Sequence, residues 1–110
     1  MLNKIQLIGY LTHDLTIQYL NINNEQIPKL DFQLAVKSKE TTQFIPCVAF
    51  RKLAEHLHQY LHKGSRIYVE GTLNVQRWTN QRNEKQIKVK VIVSKVIFLD
   101  QKLPENAATF

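Results

Sequence analysis

The chain has 110 residues, a formal net charge of +6 and a single cysteine, Cys47. That length supports one domain with its own core, the lone thiol excludes an internal disulfide framework and suits a reducing compartment, and no apolar run approaches the roughly 18 residues of a spanning helix. The excess charge points to an anionic partner, and it is concentrated: Arg77, Arg82, Lys85, Lys88, Lys90 and Lys95 stand against Glu84 alone between residues 77 and 95. A solvated edge hairpin kept soluble by lysines uses the same residues. The N-terminus enters strand-like sequence with no signal-peptide pattern, so a cytoplasmic protein without membrane attachment is expected.

Taken in chain order, Ile5, Leu7, Gly9 and Leu11 alternate with Lys4, Gln6, Ile8 and Tyr10, which predicts a first strand. A polar loop through Asn21, Asn23, Asn24, Glu25 and Pro28 follows. A second strand carries Leu30, Phe32, Leu34 and Val36 on its inner face. After a short link from Ser38 to Gln43 comes the apolar run Phe44–Phe50, in which Pro46 cannot donate to a ladder and so marks an edge or a bulge. Leu53, Leu57, Tyr60 and Leu61 are spaced as one face of a helix, with Gly64 as its stop. The next strand alternates from Arg66 to Trp78: Ile67, Val69, Leu73 and Val75 on one face, Arg66, Tyr68, Glu70, Thr72, Asn74, Gln76 and Trp78 on the other. A polar turn from Asn80 to Asn83 leads to a last strand region in which Ile87, Val89, Val91 and Val93 oppose Lys88 and Lys90, closed by residues 96–99. Five strands with one helix between the third and fourth is the order of the OB-fold, an all-β Greek-key barrel that binds oligonucleotides.

Trp78 carries the functional argument. Its alternation places the chain's one tryptophan on the solvent side, with Arg77 next to it. A large exposed ring is unfavourable unless something stacks on it, and rings interleaved with cations suit single-stranded nucleic acid, in which every base has a π-face and every phosphate a charge. A strand leaving the sheet near Trp78, or a subunit contact, would also expose it.

The stretches Leu2–Asp14, Phe44–Glu55, Tyr60–Gly71, Arg77–Thr79 and Val96–Asp100 resemble, in order and spacing, the motifs of the bacterial single-stranded DNA-binding protein family across residues 2–100. The resemblance implies an OB-fold domain over residues 1–102 with a short extension over 103–110. It implies base stacking on Trp78, Phe44 and Phe50, the last of which also suits core packing at the strand-to-helix turn. It implies phosphate contacts from Lys4, Lys52, Arg66 and Arg77, with Lys88 and Lys90 beside them, and it brings in Tyr68, which equally suits a core or inter-subunit place. The partner it implies is single-stranded DNA in replication, recombination or repair, bound by a homo-oligomer, dimer or tetramer, assembled through the first strand.

Two departures stand out. The link from Ser38 to Gln43 is short where the family has a long hairpin with another stacking aromatic, and no aromatic stands near Glu40. The family's acidic tip, which docks replication proteins, has no counterpart in Leu103–Phe110, where Glu105 is the one acid; a mobile-element origin is the expectation this raises.

Enzyme chemistry is not expected. The three glycines form no phosphate cradle, the carboxylates are scattered, and no cofactor or metal is implied. His58 and His62 have i, i+4 spacing but read as surface histidines, and Cys47 as inert core. The rival readings are a tail-less replication-restart OB adaptor that works by protein contact, and an RNA-binding OB module, since no residue here reads a 2′-hydroxyl.

Overall fold

A computed structural model describes residues 1–99 of the chain. The expected domain boundary at 102 and the extension over 103–110 lie outside the described residues. Six strands and one helix run in the order β1 (Ile5–Leu11), β2 (Ile17–Ile22), β3 (Glu25–Lys37), β4 (Thr42–Phe50), α1 (Arg51–Tyr60), β5 (Arg66–Thr79) and β6 (Lys85–Phe98).

The polar loop expected after the first strand is instead a hairpin. Asn23 and Asn24 both adopt positive φ (51° and 65°), as a two-residue turn with the right twist requires, and asparagine tolerates that region better than other side chains. β2 and β1 are successive partners of the same strand: Leu11 pairs with Leu34 and Ile17 with Leu30. They are two lengths of one bent strand, interrupted between residues 11 and 17. Counted so, the barrel has its five strands, and the helix follows the third of them. The sheet order β1-β5-β6-β4-β3-β2 closes through β1–β3, which is the OB barrel.

Closure needs a glycine. A Cβ at Gly9 would fall inside contact distance of the Ala35 carbonyl oxygen, so β1 and β3 approach only because none is present. The inner face then fills with Leu11, Leu30, Leu34, Cys47, Ala49, Ile67, Val69, Val91, Val93, Val96 and Phe98, and α1 plugs the barrel with Ala54 and Leu57. The helix stops earlier than Gly64. Leu61 is its C-cap, donating N–H to the Leu57 carbonyl at 2.9 Å, and His62 lies beyond it, so His58 and His62 do not share a helix face.

One alternation reads differently in three dimensions. Leu73 and Val75 do continue the inner face of β5, yet they are 42 % and 39 % exposed. β1 pairs with β5 only from Arg66 to Gly71, and β4 touches β6 only at Cys47↔Val91 and Val48↔Ile92. Beyond those limits β5 and β6 have only each other and project as a two-stranded ribbon. Its inner face leaves the core behind, which exposes Ile87 and Val89 as well.

Candidate nucleic-acid interface

Ladder parity builds the site. Val48 of β4 pairs with Ile92 of β6, and Ile92 with Thr72 of β5, so these three point the same way. Counting in twos along each strand puts Phe44, Pro46 and Phe50 on that outer face, together with Lys88 and Lys90, and with Asn74, Gln76 and Trp78. On the far side of β4, the partners of Phe44, Pro46, Val48 and Phe50 are Ala35, Gln33, Asp31 and Lys29. One continuous outer surface therefore carries the three expected stacking aromatics. Phe44 is 57 % exposed and Trp78 47 %. Phe50 is half-buried and ends β4 about 20 Å along the strand from Phe44.

Cations lie between the rings. Lys88 pairs with Gln76, diagonal to Trp78 across the ribbon at about 7–8 Å. Lys88 and Lys90 line a groove of 420 Å³ with His13, Asp14, Lys29, Asp31, Gln33 and Pro46. Pro46 sits where β4 is an edge, since the ladder to β6 begins only at Cys47. At the ribbon's tip Arg77, Trp78, Lys85 and Ile87 line a second recess. The turn beyond it is held by Asn80, whose Oδ1 accepts the N–H groups of Arg82 and Glu84, both at 2.9 Å.

Not every expected residue joins this face. Arg77 pairs with Ile87 on the ribbon's other side, beside the exposed aliphatics. Lys52 adjoins Phe50 in a separate recess at the start of α1, with Glu25, Arg51 and Glu55. Lys4, Arg66 and Tyr68 belong to the outer face of the β1–β5 side of the barrel. There the Tyr68 hydroxyl accepts from Gln6 Nε2 (2.9 Å) and donates to Glu70 Oε1 (2.8 Å), while Lys4 Nζ lies 3.4 Å from the same oxygen. The Tyr68 hydrogen bond, with Lys4 and Lys95 adding attraction, holds the Glu70 carboxyl below its ordinary value of 4.5.

Three contributors escaped the sequence reading. Asn3 supplies a side-chain copy of a strand partner: Nδ2 donates to the Leu73 carbonyl at 2.9 Å and Oδ1 accepts the Leu73 N–H at 2.8 Å, just past the end of the β1–β5 ladder. Arg51 takes φ of 60°, a left-handed conformation, to turn β4 into α1; no glycine announces it. The third is the outer row Lys29, Asp31 and Gln33, for which the alternation of Leu30, Phe32 and Leu34 was the signal that could have found it. Cys47 is buried, and burial pushes its thiol up to about 12. No group of three or more metal-ligating side chains exists among the described residues, and no helix there is long and apolar enough to cross a membrane.

Comparison with known proteins agrees with this architecture. The model of the single-strand binding protein family matches residues 2–99. A protein named single-stranded DNA-binding protein from Onion yellows phytoplasma (strain OY-M) is 59 % identical over 93 % of this chain and 98 % of its own length. Proteins of the same name from Thermotoga maritima and Caldanaerobacter subterraneus subsp. tengcongensis are 32 % and 34 % identical; the first match covers 96 % of this chain and 79 % of that protein, the second 93 % and 71 %. With its residues matched almost end to end, the chain belongs to the single-strand binding protein family.

Proposed function

We propose that the protein binds single-stranded DNA without strong sequence preference, stacking bases on Trp78, Phe44 and Phe50 and holding phosphates by Lys88 and Lys90, with Lys52, Arg66, Arg77, Lys4 and Tyr68 at its margins. The observation that carries this is the shared outer face: two half-exposed rings with two lysines between them, in a chain whose relatives bear that binding activity in their names. Stacking tolerates any base, and lysines reach any phosphate, so such a face holds a strand without reading it. Binding without catalysis is the whole task, in replication, recombination or repair within the cytoplasm.

A homo-oligomer joined through β1 belongs to the same proposal. Ile5 to Gly9 are laddered on one side only, to β5, among the described residues, and Ile8 is 56 % exposed on the outer face. A free strand edge beside an exposed aliphatic favours strand-to-strand association. The molar mass in solution separates dimer, tetramer and monomer.

The test of the main reading is a titration with oligo-dT, matched RNA and duplex DNA, followed by the fluorescence of Trp78 at several salt concentrations. Quenching by dT that weakens with salt, with little response to duplex, is expected. An equal response to duplex, or none to dT, would remove Trp78 from the interface and leave the adaptor reading standing.

A further inference from the structure

The groove beside Lys88 and Lys90 contains a feature that a purely non-specific face does not need. Asp31 is the one carboxylate among the outer positions of β3 from Lys29 to Ala35, of β4, and of the ribbon; the groove's other carboxylate, Asp14, accepts the Lys63 N–H at 2.9 Å. An acid aimed at the path of a polyanion weakens binding unless it meets something other than phosphate. Its ion pair with Lys29 is 3.4 Å long and leaves the side chain 55 % exposed. Gln33, two residues along, faces the same groove. Its Oε1 lies 3.2 Å from Thr12 Oγ1, while its amide nitrogen makes no hydrogen bond among the described residues. The pair thus presents a charged acceptor and an open donor side by side, about 7 Å apart along the strand. Pro46 and His13, both of which line the groove, offer flat walls.

We infer that this groove is a base-reading subsite that selects guanine from the bound strand. The inference rests on the single-stranded DNA reading above. Guanine is the base whose Watson–Crick edge carries two adjacent donors, N1–H and the 2-amino group, which one carboxylate accepts together. Its O6 lies on the same edge, next to N1, where the Gln33 amide donates. Thymine offers one N–H flanked by two carbonyls that repel a carboxylate. Cytosine and adenine each pair one donor with a neighbouring acceptor. The 420 Å³ of the groove accommodates one base, and Lys88 and Lys90 hold the flanking phosphates. Edge recognition of splayed bases in this way is general chemistry for single strands. Because the strand slides until a guanine finds the groove, the preference coexists with binding to any sequence.

The experiment is a competition assay with dT oligomers of equal length carrying one central dG, inosine or 7-deazaguanine in place of a thymine. The dG oligomer is expected to bind about fivefold more tightly than dT alone, the scale of one two-hydrogen-bond contact to a base edge. Inosine, which lacks the 2-amino group, falls back toward dT, whereas 7-deazaguanine, which keeps the whole edge, retains the gain. Asp31→Asn erases the difference between dG and dT while tightening binding to dT, since it removes an anion from the phosphate path. Equal affinity of the dG and dT oligomers, or a dG preference that survives Asp31→Asn, overturns the inference and leaves non-specific binding intact. Failure of dT itself to bind overturns the reading beneath it.

Discussion

Val48 stands beside Ile92 in the parallel ladder between β4 and β6, and this pair sets Phe44 and Trp78 on a common surface. The two rings belong to strands that are not neighbours. Only the short contact at Cys47–Val48 with Val91–Ile92 fixes their relative facing, and beyond it β6 parts from β4 and leaves room for the lysine-lined groove. The shared face of the two rings is a consequence of where pairing stops.

Trp78→Ala should weaken oligo-dT binding by about 1–3 kcal/mol, the value general to this class of protein for one stacked base rather than one obtained from this chain. The ring is 47 % exposed and supports no core, so the thermal midpoint should hardly change. A stable variant with unaltered affinity in equilibrium titrations would dismiss stacking at this position.

Lys88→Gln with Lys90→Gln tests the phosphate role. On single strands each neutralised phosphate contributes about 0.7 to the slope of log affinity against log salt, so the double variant should flatten that slope by about 1.4. Affinities measured across a salt series decide it: a lower affinity with an unchanged slope would mean that neither lysine neutralises a phosphate.

Asn3→Ala removes both hydrogen bonds to the Leu73 backbone. The exposed setting limits the loss to about 0.5–1.5 kcal/mol in urea denaturation. The larger effect should be local, with faster amide exchange at Leu73 and along the ribbon than in the barrel strands. Unchanged exchange at Leu73 would show that β5 does not depend on this brace.

Arg51 occupies a conformation that costs a side-chain-bearing residue about 1–2 kcal/mol, so Arg51→Gly should stabilise the fold by about 1 kcal/mol, and Arg51→Val should destabilise it. Urea midpoints for the two variants, read with their dT affinities, separate strain from any contribution of the arginine's charge. Arg51→Gly less stable than the parent would refute strain at this junction.

Glu70 gives a pH signature. Its carboxyl titrates below 4.5 in the folded protein, chiefly through the Tyr68 hydroxyl, so its contribution to stability is present above about 4.5 and is lost as pH falls through the folded-state value. Tyr68→Phe should move the Glu70 midpoint upward in a carboxyl-resolved NMR titration and shrink the part of the acid loss of stability that Glu70 contributes. A midpoint that stays put would assign the depression to Lys4 and Lys95 instead.

Most of the barrel could be read from the alternation of apolar residues, because Leu30, Phe32, Leu34, Ile67 and Val69 face a core at period two. Leu73 and Val75 obey the same alternation, but a period names a face and says nothing of where the neighbouring strand ends. β2 was missed because Gln18, Tyr19, Asn21 and Ile22 are half-exposed or exposed and show no buried stripe; only the Asn23-Asn24 turn marked it. The exposed aromatics of the outer face, Phe44 and Trp78, were visible as residues out of place. Asp31 and Gln33 were visible only as the polar half of a strand, since their meaning depends on a groove shared with residues more than fifty positions away.

Ser94 has a further consequence. Glu70 pairs with Lys95 and Gly71 with Val93, so Ser94 is left out of the count, its hydroxyl bonded to the Glu70 carbonyl at 3.1 Å. Val96 and Phe98 on one side of it, and Val91 and Val93 on the other, all reach the interior despite their mismatched spacing. Were this one residue paired in the ladder instead of bulged out of it, residues 85–93 would turn half a revolution about their own axis. Lys88 and Lys90 would then look toward the barrel's mouth and Val89 toward the outer face that carries Trp78. The sign of charge on that surface is thus set by a bulge as much as by a composition, and an alternation counted in twos straight through Ser94 would assign the lysines to the wrong side of the molecule.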